Sequence, residues 1–336
     1  MEHRSRMYLA TAATVGIFLL VQVGALALVQ PFDSAGYQAV ENPDDPTNSL
    51  VYLAAILVAT GVMLLAFKLD LTWVIRGLIV FSSSLVSLYV FTILIPPVVT
   101  MTIGGSVVNV LPFVAAGLLG ILLLAHPEWY VIDAVGIVMG AGAAGLFGIS
   151  FGLLPAIVLL SALAIYDAIS VYGTEHMLTL AEGVMDIKVP VILIIPLTLS
   201  YSFLAEGAGD GVTEDEEDGV EADAEEREEP AEDDGSRDAF FIGLGDAVMP
   251  TVMVASAAVF APAPMFDLGV LTLNLPALTS LIGTLLGLLV LMFMVMKGRP
   301  HAGLPLLNGG AIGGYLLGAL VSGISLVQAV GLASYL

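Results

Sequence analysis

The sequence predicts an all-α, polytopic membrane protein with nine transmembrane helices, its N-terminus cytoplasmic and its C-terminus outside. Of its 336 residues, 58% are hydrophobic and 12% are charged, whereas soluble domains are about 45–50% apolar and about 25% charged. The apolar residues also run in stretches of about 20, the length that a helix needs to cross a bilayer. A soluble fold of this size has too little interior for so much apolar surface, which excludes soluble enzymes and nucleic-acid binders.

Nine apolar stretches are predicted to span the membrane. They cover residues 7–29, 49–67, 71–95, 107–124, 128–148, 151–172, 240–261, 280–296 and 304–330. Residues 1–173 therefore carry helices one to six, 174–239 form a cytoplasmic loop, and 240–336 carry helices seven to nine. Within the loop, the apolar segment 189–196 is bounded by prolines and too short to span, so we expect an interfacial, extended segment. It leads into an acidic stretch, 206–238, whose composition is typical of disorder.

Charge placement sets the predicted orientation. With the N-terminus inside, all nine Lys and Arg residues lie on the cytoplasmic side, as the positive-inside rule requires. The net charge of -22 is mostly local, since 17 of the 31 acidic residues lie in 206–238. The excess of acid over lysine elsewhere indicates a high-salt cytoplasm, such as that of a halophilic archaeon. There is no cysteine, which excludes disulfides and thiolate metal sites, and no metal or other cofactor is expected.

Ionisable residues inside spans are costly and are treated as functional hypotheses. Arg76 in the third span and Asp133 in the fifth lie at equal depth with opposite sign. We expect them to form a structural ion pair, or to extend separately towards the cytoplasm.

Asp167 and Asp246 form a different pair. Each lies about six residues from the cytoplasmic end of its predicted span, the sixth or the seventh, and so about 9 Å deep. Two carboxyl groups that meet across a helix interface share one proton. One can then deprotonate a water while the other protonates a carbonyl oxygen, as in an aspartyl protease, or the pair can relay protons in a transporter. Charge placement alone leaves both interpretations open.

The residues beside these acids carry a family resemblance. Short motifs precede both acids: Tyr166 before Asp167, and Gly243, Leu244 and Gly245 before Asp246. Glycines so close to an acid remove bulk where another backbone must approach. Tyr-Asp in the sixth span and Gly-Leu-Gly-Asp in the seventh resemble the motifs of the presenilin and signal peptide peptidase family of intramembrane aspartyl proteases. The resemblance extends to the helix count and to the loop between helices six and seven.

The family's third motif is Pro-Ala-Leu at the start of the ninth helix. Pro276, Ala277 and Leu278 match its letters but precede helix eight on the outer side. We assign the motif instead to Pro305, Leu306 and Leu307, which open helix nine at the depth of the acids, although Leu replaces Ala. In the family this segment pairs by its backbone with the substrate. The segment 189–195 could supply a second edge for the same substrate strand.

The resemblance implies an intramembrane-cleaving aspartic endopeptidase of the cell membrane. It gives Asp167 and Asp246 the catalytic role and the other motif residues a role in substrate binding. It also implies that the substrates are single-span membrane proteins or signal remnants in the lipid bilayer, and no obligatory protein partner is evident. The alternative is a proton-coupled secondary transporter, which would usually contain an internal repeat, and none is found in the sequence.

Overall fold

The structure is a computed structural model that describes residues 2–174, 191–197, 201–202, 239–269, 271–296 and 301–335. Its α-helices are α1 (Glu2–Ser34), α2 (Thr47–Lys68), α3 (Thr72–Leu94), α4 (Leu111–Ala125), α5 (Trp129–Ser150), α6 (Leu153–Ile169), α7 (Leu244–Phe260), α8 (Leu275–Val295), α9 (Leu304–Val321) and α10 (Leu326–Ala329). A π-helical segment, Ser170–Thr174, continues α6, and a 3-10 turn, Leu332–Ser334, follows α10. The predicted acidic stretch 206–238 lies outside the described residues.

Six short strands accompany the helices in the part of the chain that the structure describes. They are β1 (Thr100–Ile103), β2 (Ser106–Asn109), β3 (Ile192–Pro196), β4 (Ala239–Gly243), β5 (Met265–Asp267) and β6 (Thr272–Asn274). They pair as three antiparallel ribbons, β1 with β2, β3 with β4 and β5 with β6. The protein is therefore mostly helical rather than strictly all-α, and the predicted extended segment 189–196 is a strand over residues 192–196.

Seven helices of the described chain are long and apolar enough to cross a membrane, namely α1, α2, α3, α5, α6, α8 and α9. The span of α6 has 20 residues because it continues through the π-helical segment to Tyr172. Two further apolar helices, α4 with 15 residues and α7 with 17, are shorter than any of these spans. Both had been predicted as full spans. Each is shorter because its predicted span includes strand residues: 107–109 belong to β2, and 240–243 belong to β4.

Two other predicted spans end differently from the helices. Span eight was expected from residue 280, but α8 begins at Leu275, where Asn274 caps it by accepting from the Ala277 N–H over 2.9 Å. Span nine was expected to reach residue 330, but α9 ends at Val321. Gly323, with φ of 80°, turns the chain there.

Helix α7 lies at the centre of the bundle. Twelve of its 17 residues are buried, and it packs against α1, α5, α6, α8 and α9. Glycines bring α8 and α9 especially close, since a Cβ atom on Gly310 would lie 2.9 Å from the carbonyl carbon of Gly283. The C-terminus of α6 and the N-termini of α5, α7 and α9 meet beside the β3–β4 ribbon. We call this the ribbon end of the bundle.

Candidate active site

Asp167 lies in the last turn of α6, at the ribbon end. Its side chain is 9% exposed, and its Oδ2 accepts a hydrogen bond from the Leu304 backbone N–H over 3.0 Å. Leu304 is the first residue of α9, where backbone N–H groups lack helical partners and the helix dipole favours negative charge. The contact fixes the carboxyl group of α6 against the start of α9.

Asp246 lies in the first turn of α7, not six residues into a helix as predicted. The helix starts late because β4 takes up residues 239–243. A Cβ atom on Gly303 would lie 3.4 Å from Oδ2 of Asp246, so Asp246 approaches the chain one residue before Leu304. Asp167 and Asp246 therefore lie on either side of the α9 start, and the Asp167 carboxyl group is close enough to act electrostatically on that of Asp246.

The β3–β4 ribbon leads directly into this site. The Leu244 N–H donates to the Val191 carbonyl over 2.8 Å, and Ile194 lies opposite Phe241 in register. Hydrogen-bonded pairs alternate with non-bonded pairs along an antiparallel ladder. Ile194 therefore directs its backbone groups away from β4, whereas Phe241 and Gly243 direct theirs away from β3.

Asp133 contacts the outer edge of β3. Its Oδ1 accepts from the Ile194 backbone N–H over 2.8 Å. Arg76 instead donates from Nη2 to the Leu124 carbonyl over 3.3 Å, near the C-terminal end of α4. The predicted ion pair between Arg76 and Asp133 is therefore wrong, because the two side chains face different elements.

The glycines and leucine before Asp246 have separate surroundings. Gly245 is exposed, and no described atom lies within 4 Å of a Cβ built on it. At Gly243 the nearest such atom is Oδ2 of Asp246, at 3.5 Å. Leu244 is 3% exposed and packs against Gly136 and Gly140 of α5, so its side chain supports the helix start rather than lining open space.

The remaining motif residues surround the start of α9. Pro305 lines a groove of about 330 Å³ between α6 and α9, and Tyr166 is 42% exposed near the end of α6. Leu306 directs its carbonyl at Gly287 of α8, and Leu307 is fully buried. Tyr166 is thus exposed, Pro305 and Leu306 are half-buried, and Leu307 belongs to the core.

Pro276 lies at the other end of the bundle. It packs against Gly318, its Cα being 2.8 Å from a Cβ built there. Gly318 is 14 residues beyond Leu304, or about 21 Å along α9. The Pro276–Leu278 match is thus remote from both aspartates.

Two groups at the site were not identified from the sequence. Gly303 contacts Asp246, and the Leu304 N–H contacts Asp167. Gly303 precedes a helix that opens with Leu304 and Pro305, and a proline in the first helical turn is a sequence signal of a helix start. Two adjacent carboxyl groups can share a proton and act as general acid and general base.

Comparisons with known proteins agree with this chemistry. The family model described as signal-peptide peptidase, presenilin aspartyl protease matches residues 15–324. Two solved structures of a presenilin family intramembrane aspartate protease, in space groups C222 and P2, are each 31% identical to the chain. The match to the first structure covers 93% of this chain and 99% of the chain in that structure, with a TM-score of 0.61. The match to the second covers 92% of this chain and 97% of the chain in that structure, with a TM-score of 0.58. No curated protein matches the chain, and nothing in the comparisons favours a transporter.

Proposed function

Since the chain belongs to the signal-peptide peptidase and presenilin family of aspartyl proteases, it is a multi-pass intramembrane aspartic endopeptidase, and we propose that Asp167 and Asp246 are its catalytic pair. The observation that carries this assignment is the junction at the start of α9. There Leu304 donates to Asp167, while Gly303 lies against Asp246. A single short segment thus sets the position of both carboxyl groups.

The proposed reaction is general acid and general base hydrolysis of a peptide bond. One carboxylate takes a proton from a water, whose oxygen attacks the scissile carbonyl carbon, while the other carboxyl group gives its proton to the carbonyl oxygen. The tetrahedral intermediate then loses its C–N bond, as one carboxyl group protonates the leaving nitrogen and the other takes a proton from a hydroxyl group. The two acids exchange roles between these steps.

The outer edge of β4 is the proposed binding site for an extended substrate segment. The alternative edge, on β3, is occupied at Ile194 by Asp133. Gly243 directs its backbone N–H away from β3, and the space around Gly245 is open among the described residues. A substrate strand added along β4 would run beside Asp246, with Pro305 and Tyr166 on the side of α6 and α9.

Proline at Gly243 tests this edge. Gly243 has φ of -59° and ψ of 132°, values that proline adopts without strain, so Gly243→Pro removes the outward N–H with little other change. We expect Gly243→Pro to lose cleavage and to keep its thermal stability. Gly243→Ala, which retains the N–H, is the matched control, and equal activity of the two variants would refute strand addition at this residue.

The proposed topology has nine crossings, with α4 and α7 completing the seven longer spans, the N-terminus cytoplasmic and the C-terminus outside. The distribution of Lys and Arg supports this orientation. Residues 174–239 then form a cytoplasmic loop, and the excess of acid suits the cytoplasm of a halophilic archaeon. Because the chain has no cysteine, single cysteines at Ala35 and Ala222 can be labelled with a membrane-impermeant maleimide. We expect Ala35→Cys to be labelled from outside and Ala222→Cys from the cytoplasmic side. Labelling of Ala35→Cys from the cytoplasmic side would refute the proposed orientation.

The family acts on membrane proteins within the bilayer, and we propose single-span proteins or signal remnants as substrates, with no obligatory protein partner. The decisive experiment reconstitutes the purified protein with one single-span substrate. Asp167→Asn and Asp246→Asn should each lower cleavage at least about 100-fold. Asp267→Asn, at the opposite end of the helices, is the control for the same chemical change. Substantial cleavage by either of the first two variants would refute the catalytic assignment.

A further inference from the structure

We infer that Asp133 is a positioning residue for this protease, which holds the β3–β4 ribbon and through it the start of α7. The inference rests on the proposed catalytic role of Asp246. Asp133 is on α5, far from both aspartates in the sequence, and its carboxylate accepts from the Ile194 backbone N–H over 2.8 Å. It is 7% exposed, so water does not compete effectively for this contact.

The ribbon transmits this contact to the catalytic segment. β3 pairs with β4 along its whole length, and β4 ends at Gly243, the N-cap of α7. Asp246 lies three residues later, in the first turn. No loop intervenes between the held strand pair and the catalytic turn, so a shift of β3 displaces Asp246 directly.

The face of α5 that carries Asp133 is shaped to receive the same elements. Gly136 and Gly140 follow Asp133 at helical spacings of three and seven residues, and so lie on one face. A Cβ atom on Gly136 would lie 3.1 Å from Cδ2 of Leu193, and one on Gly140 would lie 3.2 Å from Cδ1 of Leu244. The face thus binds the strand backbone through Asp133 and receives the side chains of β3 and α7 at its glycines.

Asp133 also closes one edge of the ribbon. A bare strand edge presents N–H and C=O groups to which another strand can add. The N–H of Ile194, at the middle of β3, is taken by Asp133. An incoming strand is therefore directed to the β4 edge, which adjoins Asp246.

The chain that follows β3 makes a second contact with the start of α5, and this contact does not involve Asp133. The Ser202 hydroxyl donates over 2.7 Å to the carboxylate of Glu128, the N-cap residue of α5, which lies five residues before Asp133. Variants at Asp133 should therefore fold, with a ribbon that is less firmly held.

Two variants separate the hydrogen bond from the charge and the volume. Asp133→Leu removes the acceptor, whereas Asp133→Asn keeps an acceptor oxygen in the same place. We expect Asp133→Leu to lower kcat by about 10- to 100-fold, because a displacement of about 1 Å at reacting groups has effects of this size. Asp133→Asn should stay within about threefold of wild type. KM should change less than kcat, because the mutation displaces Asp246 rather than removing a substrate contact.

Ser150→Ala is the matched control. Ser150 is also buried on α5 and accepts from a backbone N–H, that of Ala39, over 2.9 Å, but at the opposite end of the helix. This variant should lose similar stability and keep its kcat. An Asp133→Leu enzyme whose kcat equals that of Ser150→Ala would overturn the inference, as would an Asp133→Asn enzyme as slow as Asp133→Leu.

Amide hydrogen exchange at Ile194 tests the contact without any activity. Exchange should be at least tenfold faster in Asp133→Leu than in wild type, and near wild type in Asp133→Asn. If Asp133→Leu does not fold, Asp133→Ser, too short to reach Ile194, replaces it in both measurements. Unchanged exchange overturns the inference whatever the role of Asp246, whereas the Asp246→Asn assay tests that role alone.

Discussion

Replacing Gly310 with alanine should force α8 and α9 apart. A Cβ atom on Gly310 would overlap the carbonyl oxygen of Gly283 and lie 2.9 Å from its carbonyl carbon. Carbon atoms in contact are ordinarily about 3.5–4.0 Å apart, so the helices must separate by roughly 1 Å. Backbone atoms form the obstacle, which leaves no flexible side chain to move aside.

The neighbouring glycine provides the control. Gly309 is exposed, and no described atom lies within 4 Å of its Cβ position. Gly309→Ala should stabilise α9 by about 0.5–1 kcal/mol, the usual gain from alanine in a helix. Gly310→Ala makes the same chemical change one residue later, and there overpacking, which costs about 1–3 kcal/mol, should exceed that gain.

The assay is thermal unfolding of the purified variants, followed by cleavage of a single-span substrate. The apparent Tm of Gly310→Ala should fall by at least about 2 °C per kcal/mol, while that of Gly309→Ala should stay level or rise. Because α9 carries Leu304, its movement should also weaken the contact with Asp167 and lower kcat. Equal Tm values for the two variants would refute the close packing of α8 and α9.

Three further predictions concern other contacts. Leu244→Ala should cost about 2–5 kcal/mol in the free energy of unfolding and lower kcat, since it leaves a cavity beneath the turn that carries Asp246. An unfolding loss below about 1 kcal/mol would contradict this. Asn308→Leu should change the free energy of unfolding by less than about 1 kcal/mol. The variant loses the hydrogen bond from the Asn308 amide to the Leu160 carbonyl, but it also removes a buried amide oxygen that has no partner in the described chain. A larger loss on thermal unfolding would contradict this. The backbone N–H and hydroxyl of Thr47 hold the pKa of Asp45 below its ordinary value. The ionised Asp45 therefore stabilises the fold fully above the ordinary carboxyl pKa, and this stabilisation is lost as the pH falls through the lowered pKa of Asp45. NMR titration should find the pKa of Asp45 below about 3.9.

The helices could be predicted from the sequence because each one must satisfy the length and hydropathy requirements of a membrane span on its own. Apolar stretches identified the seven long and the two shorter apolar helices of the described chain as segments, since hydrophobicity and length are properties of one stretch of chain. The predicted ends of the helices were less accurate where a strand adjoins the helix. Residues 240–243 are as apolar as the helix that follows, so hydropathy did not distinguish β4 from α7, and Asp246 was placed too deep.

The partners of the charged residues were harder to predict. Asp133 was recognised as an intramembrane acid, but depth and sign favoured Arg76 as its partner. Depth is shared by every helix at one end of the bundle, whereas a hydrogen bond also depends on which helix face meets which segment. The strand edge at Ile194 arises because β3 pairs with β4, whose residue Phe241 lies opposite Ile194 and 47 residues later in the chain. No local pattern specifies that edge.

The sequence by itself determined that the chain is a membrane protein, where its helices lie, and that Asp167 and Asp246 lie near the same end of the helix bundle. It did so because burying a charge in lipid is costly and an apolar stretch is needed for every crossing, and both effects are readable residue by residue. Only the tertiary structure decided that Gly303 and Leu304 position those acids and that Asp133 holds the ribbon. Each of these contacts joins a side-chain carboxyl group to the backbone of a segment distant in the chain, and their geometry depends on how closely the glycine faces of the helices pack.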